Sequence, residues 1–193
     1  MTNNGDIKDA GWQSDLATFT TTPAAVIQNS LEEFVRDFSP QQSDAWRESI
    51  LFLQSEFAEF LPRQPGAGSY GIVLEYKLPY DGRRPDVIVL TSGAVVVIEF
   101  KGKEVPSQAD LDQVAAYARD LKAYHRECQD RDVYPVLVPT KTKNSVREKD
   151  RVTVASPDRL GEIFAQTKDT SKGMFHASVI SSPTAPIARC PAW

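Results

Sequence analysis

The sequence predicts an α/β domain built on a mixed sheet flanked by helices, with its elements in the order αβββαβ. Three observations predict it. Three short runs rich in β-formers follow one another between Tyr70 and Lys101, separated by turn-forming residues. A capped amphipathic helix opens directly after them at Ser107. A further apolar run, Val133 to Val138, follows that helix, so it can pair in parallel with the third strand.

Taken in order, residues 1–43 are expected to be an N-terminal extension with one helix. Residues 1–22 read as loosely ordered, with Trp12, Leu16 and Phe19 as anchors to the body. Thr22-Pro23 starts a helix on which Ile27, Leu31, Phe34, Val35 and Phe38 recur at helical spacing, and Ser39-Pro40 ends it. The main domain is expected over residues 44–170. It begins with a helix from Asp44 to Leu61, whose apolar face carries Trp46, Ile50, Leu53, Phe57, Phe60 and Leu61. Pro62 to Ser69 is breaker-rich. The first strand, Tyr70 to Leu78, alternates, with Ile72, Leu74, Tyr76 and Leu78 on one side. Tyr80-Asp81-Gly82 is a turn signal. Asp86 to Thr91 is the second strand, Ser92-Gly93 a tight turn, and Ala94 to Lys101 the third strand. Ser107 and Asp110 fit a capping box, and Leu111, Val114, Ala115, Ala118 and Leu121 form the stripe of the helix that follows. Beyond the fourth strand, Lys141 to Arg151 reads as a charged loop, Val152 to Ala155 as a fifth strand and Pro157 to Gln166 as a short helix. Residues 171–193, rich in Pro and Ala from Ser181, read as a tail or a linker toward a further C-terminal region.

Composition narrows the classes. At 193 residues the chain suits one domain with a full core. A net charge of −4 argues against a passive nucleic-acid coat protein, while leaving room for an enzyme with a local basic patch. Two cysteines, Cys128 and Cys190, and two histidines, His125 and His176, are too few for a structural zinc site or a disulfide framework. They suit free thiols in a cytoplasmic protein. The polar start, Met1 to Asp9, lacks the apolar core of a signal peptide, and no apolar run reaches membrane-spanning length, so no membrane partner is expected.

The chemistry concentrates in Arg83-Arg84-Pro85-Asp86 and Ile98-Glu99-Phe100-Lys101. Strand alternation puts Glu99 and Lys101 on one face with Val97, and the turn between the strands can bring Asp86 beside Glu99. Charges on so apolar a strand are costly unless they are paired or metal-bound. Two carboxylates suit a hard cation such as magnesium or manganese, and a nearby lysine suits stabilisation of a phosphoryl transition state. A structural ion pair at the strand end is the competing reading. Glu75 is either a third carboxylate of this cluster or the partner of Arg83 or Arg84 in a cross-strand salt bridge.

Pro85-Asp86, Glu99-x-Lys101 and Gln113-x-x-x-Tyr117 resemble the PD-(D/E)XK nuclease superfamily, the last element being typical of its RecB-like branch. The resemblance covers about residues 44–140. It implies a restriction-endonuclease-like core and hydrolysis of phosphodiester bonds, in DNA rather than RNA. It also implies metal ligation by Asp86 and Glu99, a catalytic Lys101, and active-site contacts from Gln113 and Tyr117. Periodicity alone would leave Gln113 exposed. RecB-like nucleases often carry a histidine on the first core helix. None stands here, and Glu56, near the edge of that helix's apolar face, is either an acidic substitute or a solvated surface residue. The run from Tyr70 to Lys101 also resembles the N-terminal domain of bacterial nuclease–helicases with a Schlafen-like ATPase region, proteins of phage defence or DNA repair. That implies a helicase or ATPase region in the same or a partner chain, because no G-x-x-x-x-G-K-[ST] motif is present. Lys141, Lys143, Arg147, Lys149 and Arg151 are either phosphate-gripping residues beside the site or a solvated loop balanced by Glu148 and Asp150.

Overall fold

A computed structural model describes residues 9–79 and 82–167. The expected turn at Tyr80-Asp81, the start of the chain before Asp9, the tail over 171–193, His176 and Cys190 lie outside the described residues. Among the described residues seven strands form one sheet: β1 (Trp12–Asp15), β2 (Gly71–Leu74), β3 (Val87–Leu90), β4 (Ala94–Lys101), β5 (Asp132–Pro139), β6 (Val146–Lys149) and β7 (Val152–Ala155). Their spatial order is β1-β2-β3-β4-β5-β7-β6. β1 to β4 are mutually antiparallel, β4–β5 and β5–β7 are parallel, and β6 returns antiparallel on β7. The chain is thus α/β with a mixed sheet.

Among the described residues five α-helices cover the sheet: α1 (Leu16–Thr21), α2 (Ala24–Val35), α3 (Pro40–Phe60), α4 (Gln108–Tyr124) and α5 (Leu160–Gln166). Strand alternation divides the core in two. Ile72, Leu74, Val89, Val96 and Ile98 face α1, α2, α3 and α5, where Leu16, Phe19, Ile27, Leu53 and Phe57 are fully buried. Val73, Ile88, Val95, Val97 and Leu137 face α4 and its Leu111, Val114 and Leu121. With both sides covered, β4 reads as an almost unbroken apolar run from Ala94 to Ile98. Each fully buried Leu, Ile or Phe contributes about 1.5–3 kcal/mol.

The N-terminal segment is part of this body. β1 pairs with β2 through Trp12↔Leu74 and Asp15↔Gly71, and Asp15 caps α1 by accepting from Thr18 N–H at 2.7 Å. The expected extension over 1–43 therefore supplies, from residue 12 onward, an edge strand and core side chains of the same sheet. Ser39-Pro40 ends no helix. Ser39 caps α3, accepting from Gln42 N–H at 3.2 Å, and Pro40 takes the first turn, where a missing N–H costs nothing. The charged loop expected at Lys141–Arg151 contains β6. All four of its residues are exposed, so no apolar alternation marks it. Asp150 and Arg151, with φ of 53° and 64°, close the hairpin into β7 in the positive-φ geometry that matches strand twist.

Candidate active site at the strand ends

β2 stops at Leu74 because Glu75 has φ +52°, a left-handed conformation that reverses the strand's phase. The alternation expected through Tyr76 and Leu78 consequently fails. Leu74 packs toward α3, whereas Tyr76 and Leu78 join the α4 side of the sheet. The reversal turns Glu75 toward α3, away from the face of Val73 that the pattern assigned to it. There the buried Trp46 indole N–H donates to Glu75 Oε1 at 2.8 Å, and Arg84 Nε donates to Oε2 at 2.9 Å. The cross-strand pair with Arg84 thus forms. Arg83 turns elsewhere, to Asp120 at 2.6 Å and over the Tyr117 ring at 5.4 Å from its centroid.

The β3–β4 register sets Val87 opposite Ile98, which brings Asp86 beside Glu99. Phe100 N–H donates to Asp86 Oδ2 at 2.8 Å, anchoring the aspartate across the strand pair. Glu99 and Lys101 share the α4 face, as alternation requires. Lys101 Nζ donates to Glu99 Oε1 at 2.9 Å and to Gln113 Oε1 at 3.0 Å. Gln113 Nε2 donates to Glu99 Oε1 at 2.8 Å and to Tyr117 Oη at 2.8 Å. Gln113 and Tyr117 are four residues apart on α4, so one helical turn presents both to the strand end. The capping box fixes that helix. Ser107 Oγ accepts from Asp110 N–H, and Asp110 Oδ2 accepts from Ser107 N–H at 2.7 Å and Lys103 Nζ at 2.8 Å.

These strand ends open onto a cavity of ≈ 200 Å³ between α3 and the sheet, and Glu75, Asp86, Glu99 and Lys101 all line it. At about 30 Å³ per water, it has room for roughly six waters, the scale of a hydrated cation or a phosphoryl group. Its electrostatics are strained. Burial, then the neighbouring Glu99, pushes the Asp86 carboxyl well above the ordinary carboxylate range, and the Phe100 N–H offsets only part of this. Asp86 keeps some contact with solvent at the cavity, but protein encloses its other sides. Burial also raises Glu99, against the lowering effect of Lys101 and of the Asp86 backbone. Burial pulls Lys101 down, but its bond to Glu99 and the surrounding anions outweigh that and hold it above the usual lysine value. Glu99 Oε2 is the one buried side-chain oxygen of this network that no hydrogen bond of good geometry reaches, on a residue 4% exposed.

No family model, curated protein or solved structure matches the chain. The site therefore has to be read from its own chemistry. Asp86, Glu99, Lys101, Gln113 and Tyr117 are brought together, and Glu75 lines the same cavity with both oxygens already engaged. Glu56 is not brought in. It lies beyond the stretch of α3 that lines the cavity, and its charged neighbours are Glu59 and Asp158. Sequence reasoning missed Trp46, assigned to the core by its spacing. A buried indole needs an acceptor for its N–H, so a tryptophan opposite a carboxylate-bearing strand end was the available signal.

Among the described residues no group of three His, Cys, Asp or Glu side chains is arranged to hold a metal ion. Two carboxylates suffice for magnesium, which keeps several waters and commonly takes only one or two protein carboxylates beside substrate phosphate. Asp86 and Glu99, mutually repelling and with an oxygen that lacks any donor, fit that requirement.

Proposed function

We propose that this chain is a divalent-metal-dependent nuclease of the PD-(D/E)XK type, with Asp86 and Glu99 as metal ligands and Lys101 as its catalytic cation. The observation that carries this reading is Glu99 Oε2. A buried polar oxygen without a donor costs on the order of 1–3 kcal/mol, and more when charged, unless a cation or proton reaches it. It sits beside a second carboxylate, Asp86, whose ionised form is disfavoured by burial and by Glu99 itself. Bound magnesium or manganese supplies positive charge at the phosphate and lowers the pKa of a coordinated water toward neutrality.

The chain's own residues do the rest. Asp86 is held in place by the Phe100 N–H and presents its carboxylate to the cavity. Lys101 keeps its proton at neutral pH and offers it as a donor where negative charge builds on the scissile phosphate. Gln113 ties Lys101 to Glu99 and to Tyr117, which fixes the lysine's position before substrate arrives. Glu75 orders Trp46 and Arg84 at the cavity wall. DNA is the proposed substrate class, and a helicase or ATPase region in the same or a partner chain the proposed context, in phage defence or DNA repair. Both rest on the resemblance carried by Pro85-Asp86, Glu99-x-Lys101 and Gln113-x-x-x-Tyr117. No helix of the described residues is long and apolar enough to cross a membrane.

One observation favours a second reading, a catalytically silent nucleic-acid-binding or docking domain with the same fold. Glu75 is fully satisfied without metal, and Lys101 already neutralises part of Glu99. Cleavage separates the two readings. The chain is incubated with circular single-stranded DNA and plasmid in magnesium, manganese or EDTA, beside Lys101→Ala. The nuclease reading expects metal-dependent cutting that falls about 10²–10³-fold in the variant, the usual loss for one transition-state donor. Absence of metal-dependent cutting of DNA and RNA, circular and linear, would favour the silent domain.

A further inference from the structure

The chain is acidic overall, yet its cations are sorted by strand phase at one edge of the sheet. Residues directly opposite in an antiparallel pair share a face. Arg147 lies opposite Val154 and Lys149 opposite Val152, so both stand on the α4 face, the face of Glu99 and Lys101. Glu148 lies opposite Thr153 and points to the other face. The hairpin's other acid, Asp150, accepts from Gln108 Nε2 at 3.1 Å at the start of α4. Among the described residues no salt bridge engages Lys141, Lys143, Arg147, Lys149 or Arg151.

Two of these cations, Lys141 and Arg147, line a second concavity of ≈ 350 Å³, together with Glu104, Thr142, Ser145 and Val154. It adjoins the catalytic strand end. Thr140 N–H donates to Lys101 C=O at 2.9 Å, and Thr142 Oγ1 donates to Glu104 C=O at 2.8 Å. β6 lies three strands from β4, about 14 Å at ~4.8 Å per strand. That is about four base-pair rises along a duplex at ~3.4 Å each.

From this placement we infer that the β6–β7 hairpin and the loop before it form a sequence-independent track for nucleic-acid phosphates, leading strand backbone to the Asp86–Glu99 cavity. The inference rests on the nuclease reading for what the track serves. Backbone phosphates need unpaired cations and hydroxyl donors rather than base-edge contacts, and this surface supplies both. An edge strand bearing Arg and Lys also resists pairing with another chain, so the same residues keep the edge open to a polyanion.

The test uses the whole chain in EDTA, so that binding is read without cleavage. Fluorescence anisotropy follows a labelled duplex, and a single strand of the same sequence, across a potassium chloride series. Each phosphate contact adds about 0.7–0.9 to the slope of log K against log salt. The combined variant Lys141→Ala/Arg147→Ala/Lys149→Ala is expected to lose about two units of slope and at least ~10-fold in affinity at low salt. Arg147→Gln/Lys149→Gln, which keeps side-chain bulk, is expected to lose about two-thirds of that slope, and Glu148→Ala on the opposite face to leave the slope unchanged. Wild-type affinity retained by the triple variant, or no salt-dependent binding by the wild type, would overturn the track. A chain that binds through these residues yet never cleaves keeps the track and removes the nuclease reading. A chain that cleaves with magnesium while the triple variant binds normally removes the track alone.

Discussion

Two glutamates line one cavity, each about 4% exposed, and their surroundings treat them in opposite ways. At the Glu75 corner both carboxylate oxygens are taken, one by the Trp46 indole and one by the Arg84 guanidinium. At the Glu99 corner one oxygen takes two donors, from Lys101 and Gln113, and the other takes none. The contrast teaches that burial alone does not mark a functional carboxylate. Glu75 has the interactions of a structural anion, closed by its partners. Glu99 is held firmly through Oε1, while its buried Oε2 takes no hydrogen bond and its charge repels that of Asp86.

Substitutions sharpen the contrast, and the largest effect belongs to the open corner. Glu99→Gln and Asp86→Asn are each expected to abolish metal-dependent cleavage while leaving the fold intact. For Asp86 the sign follows from its raised pKa. A carboxyl raised in the folded state binds its proton more tightly there than when unfolded, so stability falls as pH rises through that window. Its ionised form is a cost at neutral pH, and Asp86→Asn should raise the melting temperature in EDTA while removing any increase produced by manganese. A melting temperature that drops in both variants would make the pair a structural one.

The closed corner should answer with stability instead. Glu75→Ala leaves the Trp46 N–H buried without an acceptor and Arg84 without its partner, which is expected to cost about 2–4 kcal/mol in urea denaturation. A loss of cleavage at unchanged stability would move Glu75 into the catalytic group. The smallest effect lies behind Glu99, at the cap that positions α4. Burial by itself would raise the Asp110 carboxyl, but its bonds to Lys103 and Ser107 hold it down at about 2. Its contribution is therefore complete above the ordinary aspartate value and is lost as pH falls through about 2. Asp110→Asn should flatten that acid limb of the stability profile and cost about 1 kcal/mol at neutral pH. An acid limb unchanged by the substitution would remove the cap from this account.

Much of the open corner was legible in the sequence, and the closed corner only in part. Alternation along Ala94–Lys101 puts Glu99 and Lys101 on one face, and the Ser107–Asp110 capping box locates the start of α4 to the residue. Gln113 was beyond periodicity. Its place depends on how α4 lies over the sheet, and only the resemblance pointed to it. The pair of Glu75 with Arg84 was one of its two readings, but its face was misassigned because one left-handed residue shifts the strand's phase, and no glycine or asparagine signals it there. β1 and β6 were missed for a shared reason. They are edge strands, with one ladder partner each and much exposed surface, so tertiary pairing rather than hydrophobic pattern specifies them.

The central claim is that Asp86 and Glu99 hold a divalent cation. Calorimetric titration of the chain with manganese, beside Glu99→Gln and Glu75→Gln, tests it most directly. Saturable binding by the wild type, retained in Glu75→Gln and lost in Glu99→Gln, is the expected result. No saturable binding, or binding that Glu99→Gln leaves unchanged, would contradict it.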